Sequence, residues 1–134
     1  MNEDAVKNWI IKANNDLKIG KDELITKEPV TDAMCFHMQQ CVEKLLKAFL
    51  IFEGKELIKT HDISLLIREC AEIDKDFNAL FDIEVDGLTD YAVEIRYGEE
   101  FYFPSIDEAK EAIEICEKVK EFVLGKLKER GFSF

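Results

Sequence analysis

What the chain lacks narrows its possible activities more than what it has. It has no apolar run approaching the ~20 residues that a membrane-spanning helix needs. Its start, Met1-Asn2-Glu3-Asp4, is acidic where a secretory signal would be basic, and no signal-like apolar core follows, so a cytoplasmic location is expected. There is no CxxC pair among Cys35, Cys41, Cys70 and Cys116, and no histidine at zinc-ligand spacing from them, which speaks against a metal site and for buried free thiols. Cys35 and Cys41 are six residues apart, about 240° around a helix, so their side chains should diverge. A Gly-rich phosphate loop, HExxH and GxSxG are all missing, and His37 and His61 are the only histidines, leaving hydrolytic catalysis little to work with. No strand-length alternation, internal repeat or low-complexity tract is visible.

What remains is the composition of a globule, 134 residues with 47% apolar and 35% charged, enough for one domain with its own core. The net charge of −11 is concentrated in one place. Residues 1–60 hold ten acids against nine lysines, whereas between Glu72 and Glu100 ten acids face Lys75 and Arg96 alone, a local balance of −8. Such a field repels a polyphosphate backbone, so nucleic acid is not an expected partner. It reads as a solvated surface or as a patch for a basic partner.

Helical periodicity runs through nearly the whole chain. Val6, Trp9, Ile10, Ala13 and Leu17 put one apolar stripe on a helix to about Lys18, before a connection that includes Gly20. Thr31 is a candidate N-cap for a long helix over about 32–53, closing at Gly54. Its apolar residues form two stripes, one through Met34, Met38, Cys41, Leu45, Ala48 and Phe52 and one through Cys35, Val42, Leu46, Phe49 and Leu50, so it should sit centrally. The polar residues embedded in it, His37, Gln39, Gln40, Glu43, Lys44 and Lys47, then need partners. Asp62 or Thr60 should cap a third helix with Ile63, Leu66, Ile67 and Cys70 inside. A broken helix follows, interrupted at Asp86-Gly87 and resuming through Leu88, Tyr91, Ala92 and Ile95. Residues 99–104 read as an aromatic loop, and Ser105 with Glu108 as the capping box of a last helix that ends near Arg130 and stops at Gly131. The fold class expected is all-α, an antiparallel up-and-down bundle of four to five helices in a single domain over 1–134.

Among groups that could bind a ligand, His61 stands at a helix start, where free N–H groups favour an anion, and Arg96-Tyr97 could present a guanidinium and a ring to a phosphate and a base. Each also has a structural reading: for His61, helping to form the turn is the preferred one, and Arg96 could equally pair with its acidic neighbours. His37, mid-helix among apolar residues, reads as a hydrogen-bonded interior group.

Three strings occur in an order that points to a family: Ala33-Met34-Cys35-Phe36-His37-Met38-Gln39-Gln40-Cys41-Val42-Glu43-Lys44-Leu45-Leu46-Lys47-Ala48, then Lys59-Thr60-His61-Asp62-Ile63, then Leu88, Tyr91 and Arg96-Tyr97 in an L-x-x-Y-x-x-x-x-R-Y pattern. In these the chain resembles a HEPN domain. The resemblance implies a helical bundle, a homodimer, and a prokaryotic protein paired with a minimal nucleotidyltransferase in a toxin–antitoxin-like module, with a nucleotide as ligand and no cofactor. Lys59, His61, Asp62, Arg96, Tyr97, Gln40 and Lys44 are the candidate ligand-binding residues. The family's nuclease members use an Arg followed four to six residues later by a His. Here Arg68, Arg96 and Arg130 all follow both histidines, and Glu100, Phe101 and Tyr102 occupy those positions after Arg96. No catalytic residue is carried over, and the expectation is a binding module. The alternatives are a degenerate or cryptic ribonuclease and a purely structural interaction domain. Gly98 stands where this branch commonly has Pro.

Overall fold

A computed structural model describes residues 2–91, 96–97 and 100–134, with backbone alone at 96, 97 and 100. The chain is all-α. Helix α1 is Glu3–Leu24, α2 Thr31–Phe52 and α3 Ile63–Ile73; a 3-10 turn, Lys75–Asn78, runs into the single-turn α4, Ala79–Asp82, and a second 3-10 segment, Val85–Tyr91, follows. Strands β1, Arg96–Tyr97, and β2, Glu100–Phe101, form a two-residue antiparallel ladder before α5, Ile106–Glu129.

The double-striped α2 is the centre of the bundle. Met34, Cys35, Met38, Cys41, Val42, Leu45, Leu46, Ala48, Phe49 and Leu50 are all buried on it, under α1, α3 and α5. Contacts of Lys47 with Trp9, of Lys44 and His37 with Asp16, and of Met38 with Gly20 show α1 and α2 running antiparallel. Helix α5 runs the same way as α2, its Ala109, Ala112, Cys116, Val119, Val123 and Leu127 facing inward. Phe49, Phe77 and Phe122 pack in sequence, the first pair tilted and the second edge-to-face, with centroids 4.4 and 5.0 Å apart, tying the irregular segment to α2 and α5. Phe132 is buried against Phe52, while Phe134 is exposed on top of Phe132.

Several boundaries differ from the sequence reading, each for a local reason. Helix α1 continues to Leu24, six residues past Lys18, because Gly20 is a packing position: a Cβ there would stand 2.5 Å from Met38 Cε. Thr31 is the first residue of α2 and Val30 holds the cap position without a side-chain bond; Glu23 Oε2 instead accepts the Val30 N–H at 2.9 Å, at the end of α1. The break expected at Asp86-Gly87 falls earlier, where Glu84 adopts φ 59°. Part of the expected aromatic loop is the β2 strand, whereas Ala92, Ile95 and Gly98 lie outside the described residues. The caps on α3 and α5 are as read: Asp62 Oδ1 accepts the Leu65 N–H, Ser105 and Glu108 form the capping box, and Gly131 has φ 94°. The four cysteines are free and buried, with Cys35 beside Tyr91 and Cys41 beside Cys116, so the first two do diverge.

Candidate functional site

Around α2, residues 39, 43, 47, 40, 44 and 37 fall in that angular order across about 160° of the helix, at 100° per residue. This polar arc is organised by two buried carboxylates. Asp16, from α1, has a side chain 9% exposed; its Oδ2 accepts the Lys44 ammonium at 2.5 Å and its Oδ1 meets His37 Nδ1 at 2.8 Å. Glu43, at 5%, accepts Lys47 at 2.6 Å on Oε1; on Oε2 it accepts the Gln39 amide at 2.8 Å and meets His61 Nδ1 at 3.1 Å. Gln40 donates to Gln39 Oε1 at 2.7 Å, extending the second set.

The two nodes share one design. Each carboxylate takes a lysine on one oxygen and a histidine Nδ1 on the other, so each imidazole carries its proton on Nδ1 and turns Nε2 away from the carboxylate. Burial alone would raise the Glu43 pKa, but hydrogen bonds from Lys47, His61 and Gln39 outweigh it and hold the carboxyl below the usual range. The carboxylate therefore stays charged and its donors stay oriented. The Lys47 ammonium also lies 5.8 Å from the centroid of the Trp9 ring. His61 is the exposed end of the arrangement, its side chain 64% accessible, while His37, Lys44 and Lys47 are partly covered.

Of the residues singled out from sequence, Gln40, Lys44 and His61 belong to this arc. Lys59 is exposed on the loop leading to His61, and Asp62 uses its carboxylate as the cap of α3. The side chains of Arg96 and Tyr97 lie outside what the structure describes; their backbones form β1. Asp16 was missed. No local pattern marks it, because its role depends on residues 21 and 28 positions away. The acidic segment is partly neutralised from α5: Lys126 reaches Asp74 at 3.0 Å and Asp76 at 2.6 Å, and Arg130 reaches Asp74 at 3.2 Å and Glu53 at 2.6 Å. Glu84, Asp86, Glu108 and Glu111 line a groove between the second 3-10 segment and α5. Tyr91 and Tyr102 both donate their hydroxyls to Glu108.

A family model described as HEPN domain matches residues 6–128, nearly the whole chain. The chain belongs to the HEPN domain family. The crystal structure of an archaeal HEPN homologue superposes on this HEPN domain with a TM-score of 0.72, covering 91% of this chain and 97% of that one at 23% identity, a likeness of fold. No curated protein matches the sequence. The matched region includes both carboxylate nodes, from Asp16 to His61. Among the described residues no helix is long and apolar enough to cross a membrane, and no group of three or more His, Cys, Asp or Glu could hold a metal ion.

Proposed function

We propose that this HEPN domain is a dimerising binding module that takes a nucleotide and works beside a minimal nucleotidyltransferase in a toxin–antitoxin-like pair, without hydrolysing RNA. The observation that carries this reading is the paired-node arc on α2. Its lysines are fixed on buried carboxylates and reach solvent at their edges, as suits meeting a phosphate, its imidazoles turn Nε2 outward as an acceptor, and the Arg-to-His spacing of the family's nucleases is absent. The test is isothermal titration with nucleoside mono-, di- and triphosphates. Saturable heat that weakens in Lys44→Ala supports the reading; no heat at millimolar concentration removes the nucleotide from it. Light scattering that reports only monomer at high concentration removes the dimer.

One feature favours a second reading. An imidazole whose Nδ1–H is held by a buried carboxylate presents a basic Nε2, the arrangement of a general base, and His61 has this form at the surface. A ribonuclease using His61 as base, with Arg96 clamping phosphate and Tyr97 in support, would cleave RNA in clean preparations and lose that activity in His61→Ala. Cleavage of that kind overturns the non-hydrolytic reading.

A further inference from the structure

Part of the acidic segment, unused by the α2 arc, lines the groove between the second 3-10 segment and α5, which has a volume of about 660 Å³. Its apolar lining includes Leu88 and Ala112, both buried, and the half-buried Tyr91 and Ile115. Its charged lining is entirely negative among the described residues. Glu108 there is engaged by the hydroxyls of Tyr91 and Tyr102. Glu84, Asp86 and Glu111 have no cationic partner among the described residues, in contrast to Asp74 and Asp76, which α5 meets with Lys126 and Arg130. Like charges gathered around one cleft repel one another, and no described group of the chain offsets these three. The backbone points the same way. Gly87 lines the groove with a φ outside the left-handed region, and a Cβ there would meet nothing within 4 Å, so neither turn geometry nor internal packing requires glycine. A lining position without a side chain leaves room for another molecule's backbone to come close.

Charge and lining together select the occupant. A polyphosphate is repelled. Among the described residues no three carboxylates close on one point where a metal ion could sit, so these suit separate cationic groups carried on one chain. The apolar lining calls for apolar side chains between those cations, which a bare polyamine lacks. Tyr91 adds a ring on which a guanidinium can stack, and a guanidinium also meets a carboxylate through two parallel hydrogen bonds, so arginine fits better than lysine. We propose that this groove docks a segment of a partner protein rich in arginine and apolar residues, with guanidinium groups on Glu84, Asp86 and Glu111 and apolar side chains against Leu88, Ala112 and Ile115. The proposal uses no residue of the α2 arc and stands whether or not a nucleotide binds there.

The experiment follows the anisotropy of a short fluorescein-labelled peptide of leucine and arginine in equal numbers, titrated with the intact protein at physiological salt, where loose surface attraction is screened. Saturable binding is expected. Glu84→Gln, Asp86→Asn and Glu111→Gln combined should weaken it by about tenfold or more at an unchanged unfolding midpoint. Glu3→Gln, Glu28→Gln and Glu56→Gln combined remove the same charge from exposed positions that do not line the groove, and should change the affinity by less than about twofold. Gly87→Leu, whose added bulk meets no part of the chain at its Cβ, should fold normally and weaken the peptide by about fivefold. Exchanging the peptide's arginines for lysine should weaken it by about threefold, and exchanging its leucines for serine by about tenfold. The docking assignment falls if the peptide fails to saturate at millimolar concentration, or if the two triple variants weaken it equally, which marks bulk charge attraction. It falls equally if spermidine or the serine peptide binds as tightly as the leucine one, which marks a purely polar cation as the occupant.

Discussion

Glu43→Gln tests whether the second node holds the fold together or merely decorates it. The substitution keeps the side chain's shape and removes its charge. Glu43 accepts from Lys47, Gln39 and His61 at once, whereas an amide has one oxygen, so at least one donor then faces an NH₂ group. The Lys47 side chain is only 12% exposed, and its ammonium loses its counter-charge. Removing one partner of a buried pair costs about 3–5 kcal/mol. The amide oxygen can still accept from Lys47, and the Trp9 ring stays beside the ammonium, each offsetting part of that loss. The expected cost is therefore about 2–4 kcal/mol at pH 7. At about 2.1 cal/mol/K per residue this lowers the melting temperature by about 7–14 °C.

Urea unfolding followed by circular dichroism measures it, with Lys18→Ala as control: Lys18 pairs with Asp22 in the open, where the expected loss is below about 0.5 kcal/mol. The double variant Glu43→Leu with Lys47→Met should be less damaged than Glu43→Gln, because no charge is left buried and alone. The pH dependence has a definite sign. The Glu43 pKa is lowered on folding, so its contribution is present above the unfolded glutamate value, about 4.3, and is lost as pH falls through the folded value. Glu43→Gln should therefore flatten the stability profile below about pH 4.3 and leave its slope between pH 5 and 7 unchanged. A cost under about 1 kcal/mol, or an acid limb as steep as the wild type's, refutes the account of the node.

Gly20→Ala sets a helix gain of about 1 kcal/mol against a contact with the flexible tip of Met38, and the two should cancel to within about 1 kcal/mol; Gly20→Val, with two more atoms at that crossing, should destabilise by about 2 kcal/mol or more in the same assay. Phe77→Ala removes the middle ring of the Phe49–Phe77–Phe122 series from a fully buried position, and calorimetry should show a loss of about 3–5 kcal/mol. Lys126→Met leaves Asp74 with Arg130 alone among its side-chain donors. Burial acts to raise the Asp74 pKa, but hydrogen bonds, that from Lys126 foremost, hold it low, so the variant should lose stability above the unfolded aspartate value of about 3.9 and little below it. Unfolding at neutral pH and near pH 2 compares the two.

The parts of this protein legible in its sequence are those set by local periodicity. The double stripe on α2 could only belong to a helix enclosed on several sides, and Ser105 and Glu108 lie within one turn, so their capping box needs no tertiary information. What was not legible depends on contacts between elements. Gly20 looks like a helix stop until Met38 is placed against it, and no local pattern pairs Asp74 and Asp76 with Lys126 and Arg130, which come from α5 to meet them.

The polar residues of α2 fall between these cases, and for that reason they are informative. A helix that buries Gln39 and Glu43 must find them partners, so periodicity alone demanded a network without identifying its members. The structure supplies Asp16 from one side and His61 from the other, and in both nodes the added residue completes the same lysine–carboxylate–histidine set. Two nodes of one chemistry on one helix are more than burial requires, since a buried ion pair is often no more stabilising than apolar residues in its place. The groups exposed at their edges, His37, Lys44 and His61, are thus where selection for a ligand would act.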